Sequence, residues 1–237
     1  MSNSLYEENI DACTLGETEK FHHFARFTPR PVVANFLNRY EIFKRVTGIH
    51  GSIVEGGVNL GQGLFSWLHF SSILEPYNHS RRVIGFDTFD GFTHVNDKDQ
   101  GGLYENNQDW VDFRNKQSIL ELETSIKAHD SQRVLSQIPK VEIVQGDATK
   151  TIPSYIEKNP HIIVALMHID FDVYAPTKAA LEYFVPRMPK GAIIAFDEIN
   201  DPNAPGETLA LIESVGLKIG KLERQAFDSN LCFVTID

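Results

Sequence analysis

From Gly51 onward the chain alternates between short apolar runs and longer segments whose apolar positions recur at helical spacing. The short runs are 51–57 (GSIVEGG), 82–87 (RVIGFD), 141–144, 162–169 and 192–197, and all read as strands. Helices are expected at 61–74, 117–136, 151–158, 176–187 and 206–215. Ahead of them, Val32, Val33, Phe36, Leu37, Tyr40 and Phe43 follow a helical period behind a break at Thr28-Pro29-Arg30-Pro31, so 21–47 reads as helical. Residues 1–20 are polar and expected to be flexible. Repeated strand–helix alternation implies a parallel sheet covered by helices on both faces. Two final strands, near 217–223 and 227–235, leave no room for a crossover helix and should form an antiparallel hairpin. The expectation is one α/β domain over 1–237. Residues 1–47 form an N-terminal helical extension of it, and 93–117, long, polar and irregular, an insertion that folds over the site.

Composition removes several function classes. The 237 residues are 42% hydrophobic and 23% charged, an ordinary globular balance. A net charge of -10 argues against a broad surface for nucleic acid or an anionic membrane, since phosphates need a basic footprint. Two cysteines, Cys13 and Cys232, make no disulfide framework, and a cytoplasmic setting is expected. The opening MSNSLYEENID is polar and acidic, unlike a signal peptide. No run approaches the ~20 apolar residues of a membrane span.

The strand ends carry the chemistry. In an open α/β sheet, ligands sit outside the carboxyl ends of the strands. Strand 162–169 runs into Asp170 and Asp172, and strand 192–197 into Asp197 and Glu198. Carboxylates crowded on one rim repel unless a cation or a proton lies between them. A hard divalent ion with oxygen ligands fits that pattern, with Asp170, Asp197 and Glu198 as its ligands. Asp170 is also the candidate base. Asp172 and His168 share its strand parity and are candidate catalytic partners, although His168 lies deeper and reads better as a core histidine. Tyr174 either lines a substrate pocket or packs.

The first strand ends in Glu55-Gly56-Gly57-Val58-Asn59-Leu60-Gly61-Gln62-Gly63. Such a turn serves a nicotinamide dinucleotide, S-adenosylmethionine, or only a tight bend. Glu55 favours the second. A pyrophosphate on the turn would be repelled by the carboxylate, whereas the ammonium and sulfonium of S-adenosylmethionine would be attracted. Asp87, followed by Thr88 and Phe89, is placed to accept from both ribose hydroxyls. Gly146-Asp147-Ala148 would border the adenine. The plainer alternative for Asp87 or Asp147 alone is a helix N-cap.

These segments resemble the macrocin O-methyltransferase family, whose members methylate sugar hydroxyls in mycinamicin and novobiocin biosynthesis. The resemblance runs over roughly 24–210. It rests on Glu55–Gly63, the run Gly85–Phe92, Gly146-Asp147, the Asp170-Phe-Asp172-Val-Tyr174-Ala-Pro-Thr177 run and Gly191…Asp197-Glu198. Ala25-Arg26-Phe27-Thr28-Pro29 and Asp197-Glu198 are most similar to the calicheamicin branch. The resemblance implies a class I methyltransferase (Rossmann-like) fold, S-adenosyl-L-methionine as donor, and often Mg2+ held by an aspartate at the Asp170 position and an Asp-Asp pair. Here Glu198 replaces the second aspartate. The expected partners are a small sugar acceptor and a second copy of the chain, with no nucleic acid and no membrane. Rival readings are a catechol-type O-methyltransferase, a metal-dependent hydrolase, and a cofactor-binding protein without catalysis. Against the catechol reading, Val173 stands where those enzymes carry a lysine base.

Overall fold

The computed structural model describes residues 5–92, 95–100 and 119–237. Seven strands among them form one sheet: β1 Ser52–Gly56, β2 Val83–Asp87, β3 Val141–Gln145, β4 Val164–Ile169, β5 Ile193–Phe196, β6 Leu222–Gln225 and β7 Asp228–Thr235. Their order across the sheet is β3-β2-β1-β4-β5-β7-β6. β1 to β5 pair in parallel, and β7 runs antiparallel to both β5 and β6. The α/β fold with a C-terminal antiparallel hairpin is therefore as expected. The helices are α1 Leu5–Ala12, α2 Glu17–His22, α3 Phe24–Phe27, α4 Arg30–Val46, α5 Gln62–Leu74, α6 Ile119–Asp130, α7 Ala148–Lys158, α8 Tyr174–Phe184 and α9 Gly206–Ser214. None of them is long and apolar enough to cross a membrane.

Successive strand residues face opposite sides of the sheet, and the core divides accordingly. Ile53, Val83, Leu166, Ile193 and Ala195 pack against α4, α5 and α6. Their neighbours Val54, Ile84, Met167, Ile194 and Phe196 pack against α7, α8 and α9. Each fully buried Val, Leu, Ile or Phe side chain contributes about 1.5–3 kcal/mol.

The structure corrects several boundaries. Residues 5–12 and 17–22 form helices, neither of which buries a residue. The helix expected at 117–136 ends at Asp130. Arg133 gathers the carbonyls of Val134, Leu135 and Ile138 and pairs with Asp130, winding 131–138 into turns. α7 begins at Ala148, not 151, because Asp147 caps it. The strand expected at 217–223 is only Leu222–Gln225, since 217–220 is a turn. Most of the proposed insertion, 93–117, lies outside the described residues. Its described part, 95–100, forms a short turn at Asp97–Asp99.

Candidate active site

The turn between β1 and α5 is built around Glu55, which is only 1% exposed. Its Oε2 accepts from Trp67 Nε1. His168 Nδ1 lies 3.1 Å from the same oxygen, at an angle short of a hydrogen bond. A side chain at Gly63 would come within 1.8 Å of Oε1. Glu55 thus fills the space beneath the first turn of α5, where a helix favours negative charge. This corrects the expectation that it faces a cofactor ammonium: its carboxylate shapes the turn from below. His168, fully buried against Trp67, is a core histidine rather than a catalytic partner.

Gly57 has a φ of 83°, and a Cβ there would fall 1.8 Å from the carbonyl oxygen of Asp170. The amide of Asp170 in turn donates to Gly56 O at 2.8 Å. The glycines serve first to bring the turn against the acidic loop after β4. Val58 is buried, and Gly61 precedes α5 in the left-handed conformation. Asp87 ties this turn to the next. Its Oδ2 accepts from Asn59 N at 2.7 Å, and its Oδ1 from Phe89 N at 2.7 Å. Each carboxylate oxygen keeps a second lone pair for a ligand. Thr88 Oγ1 donates to Gly91 O. At β3, Asp147 accepts from Thr149 N and Oγ1 at 3.0 and 2.7 Å, so the N-cap alternative describes it. Ala148 is the buried first residue of α7, and Gly146 turns the chain into it with a φ of 127°.

At the rim, β4 and β5 run in register up to Ile169 opposite Phe196. One step further, Asp170 and Asp197 stand side by side on the face of α4 and α5. Both line a cleft of about 440 Å3 with Arg30, Asn35, Arg39 and Gln62. Burial first, and Asp197 next, hold the Asp170 carboxyl well above the usual range. Glu198 does not join them. Alternation turns it to the opposite face, where it hydrogen-bonds Asp172 and is pushed up to about 9, by burial and then by Asp172. Among the described residues no three acids or histidines come close enough to hold a metal ion. The trio Asp170, Asp197 and Glu198 is therefore split by strand parity. Asp197 Oδ1 and Glu198 Oε2 are each buried without a hydrogen-bond partner.

Three residues that sequence reading passed over shape this site. Glu207, fully buried at the start of α9, accepts from Phe171 N at 3.1 Å, Asp172 N at 3.3 Å and Glu198 N at 3.4 Å. It fastens the loops after β4 and β5 to each other. Burial first, then Asp172 and Glu198, holds its carboxyl well above the usual range. Asp99 is also fully buried and accepts from Tyr174 N at 2.6 Å and Asn96 N at 2.9 Å, pinning 96–99 to the start of α8. The Tyr174 hydroxyl donates to Glu213 and accepts from Lys98, so Tyr174 serves this anchor rather than the cleft. Arg39 is the third. An acid after Pro205-Gly206 was the visible signal for Glu207, and it reads there as an ordinary first-turn carboxylate.

A parallel sheet of this order with a glycine turn after β1 and acids after β2, β4 and β5 defines a class I methyltransferase. Residues 54–199 match the methyltransferase domain family, and the chain belongs to it. It is an S-adenosylmethionine-dependent methyltransferase. Its structure is similar to that of CalS11, a calicheamicin methyltransferase. The TM-score is 0.88 and the identity 29%, covering 99% of this chain and 94% of the other. The apo structure of CalS11, described as a TDP-rhamnose 3'-O-methyltransferase, aligns with a TM-score of 0.82 and 27% identity over 99% and 96% of the two chains. The O-methyltransferase NovP shares the fold at a TM-score of 0.58 and 19% identity, over 86% of this chain and 80% of its own. No curated protein sequence matches the chain significantly.

Proposed function

We propose that the chain transfers a methyl group from S-adenosylmethionine to a hydroxyl oxygen of a sugar, carried by a nucleotide-deoxysugar, a glycoside natural product or a surface glycan precursor. The observation that carries this reading is the Asp170–Asp197 pair, which lines a cleft bordered by Gln62 at the start of α5. The likeness to CalS11 supports a sugar acceptor. In the proposed reaction the acceptor oxygen attacks the methyl carbon in line with the carbon–sulfur bond, which breaks to leave S-adenosylhomocysteine. The hydroxyl proton passes to Asp170. Asp170 can accept it only in its ionised form, in which a carboxylate held above its ordinary range is a stronger base than a free aspartate. The protein's main contribution is alignment, together with exclusion of water.

A divalent cation would bind at Asp170 and Asp197, not at Glu198, and magnesium commonly takes only one or two carboxylates. Such an ion would supply Lewis-acid polarisation of the hydroxyl.

The test is a methylation assay with purified protein, S-adenosylmethionine, and parallel panels of nucleotide sugars, simple glycosides and catechols. A methyl group gained by a sugar, and lost with Asp170→Asn while S-adenosylhomocysteine still binds, is the expected result. Methylation of catechols alone would overturn the sugar assignment. A chelator should slow the reaction if the ion takes part.

A further inference from the structure

Among the described residues two arginines are almost completely buried, and they are treated differently. Arg81, 2% exposed, donates to the carbonyls of Gly51, Val46 and Ile49 and pairs with Glu75 at 2.7 Å. Arg39, 4% exposed on α4, has neither Nε nor Nη1 hydrogen-bonded. It forms no ion pair among the described residues. A guanidinium cannot shed its proton to escape this situation. An unpaired buried charge is costly, so a fold that keeps one is complete only when something else supplies the anion. Arg39 lines the same cleft as Asp170 and Asp197, with Arg30 exposed at the rim. Neither acid lies within ion-pairing distance of it, so the carboxylates of the described residues leave it unmatched.

We infer that Arg39 is the anion-binding position of this cleft and takes a carboxylate or phosphate of a bound ligand. The inference rests on the methyltransferase reading and adds a recognition element to it. A guanidinium suits both oxyanions because its planar fork donates to two oxygens at once. Two ligand groups have that chemistry: the amino-acid carboxylate of S-adenosylmethionine and the phosphates of a nucleotide-linked acceptor.

Calorimetry on the full chain separates them, using wild type, Arg39→Met and Arg39→Lys. The probes are S-adenosylhomocysteine, methylthioadenosine, which keeps the nucleoside and sulfur but lacks the carboxylate, and thymidine diphosphate. Arg39→Met should lose about 10- to 100-fold in affinity for one charged probe, keep its affinity for methylthioadenosine, and be partly rescued by Arg39→Lys. Loss on S-adenosylhomocysteine assigns the anion to the cofactor, and loss on thymidine diphosphate assigns it to the acceptor. Without ligand, Arg39→Met should melt no lower than wild type, because it deletes an unpaired charge. Unchanged affinity for both charged probes would overturn the inference. So would a lower melting temperature with all three probes weakened together, the signature of a structural arginine. Wild type that binds neither S-adenosylhomocysteine nor methylthioadenosine would instead sink the methyltransferase reading.

Discussion

Replacing Glu207 tests whether the acidic rim is held in place by one buried carboxyl. Glu207→Ala removes the acceptor for three backbone amides, at 3.1, 3.3 and 3.4 Å. A buried donor left without a partner costs about 1–3 kcal/mol. Phe171 lies in the core and meets that cost in full, while Asp172 and Glu198 are half-buried and water replaces part of what they lose. The sum is about 2–4 kcal/mol before any cavity is counted. Glu207→Gln is a different perturbation. Its amide oxygen can take the two bonds now made by Oε1, and burial already favours an uncharged group there. We expect a cost of about 1 kcal/mol or less. For a chain of this length 1 kcal/mol moves the melting temperature by about 2–4 °C. Glu207→Ala should therefore melt about 4–16 °C below wild type, and Glu207→Gln within about 4 °C of it. Thermal unfolding by circular dichroism reads both. Alanine and glutamine variants that melt together near wild type would refute the fastening role.

Other outcomes follow from the same geometry. Asp87→Ala should weaken S-adenosylhomocysteine binding by about 1–3 kcal/mol, and equal affinity by calorimetry would remove Asp87 from the site. Gly57→Ala should destabilise by at least about 1–3 kcal/mol from its backbone conformation alone; a wild-type denaturation midpoint would show that the loop after β4 yields easily. Glu198 is raised from 4.5 to about 9. Between those values the unfolded chain has lost a proton that the folded one keeps, so stability should fall as pH rises through that window. Glu198→Gln should flatten the decline, and an unchanged slope in melting temperature against pH would count against the shift.

Much of the fold was legible because strand and helix periods are local. The hairpin at the end followed from the lack of space between the last two strands. Asp170 and Asp197 were legible because acids at strand ends face the rim. The fate of Glu198 was within reach too: residues adjacent on a strand face opposite sides, and that rule alone separates it from Asp197. Glu55 was misjudged because its burial depends on Trp67 and His168, which come from another helix and another strand. Glu207 showed only as an ordinary first-turn acid, and Asp99 and Arg39 carried no local signal. Each matters through a partner, or the lack of one, far away in sequence. Glu207 reaches Phe171, and Asp99 reaches Tyr174.

The bond between Glu55 and Trp67 gives the protein an optical handle. The chain has two tryptophans, Trp67 and Trp110. The indole of Trp67 is fully enclosed, and its N–H is held by the carboxylate beneath the glycine turn. Indole emission responds to charge and hydrogen bonding around the ring. With Trp110 replaced by phenylalanine, the remaining fluorophore would sit directly under the turn. Any ligand that reshapes the turn would change the colour or brightness of the protein itself, and an occupied site could be followed in real time without a label.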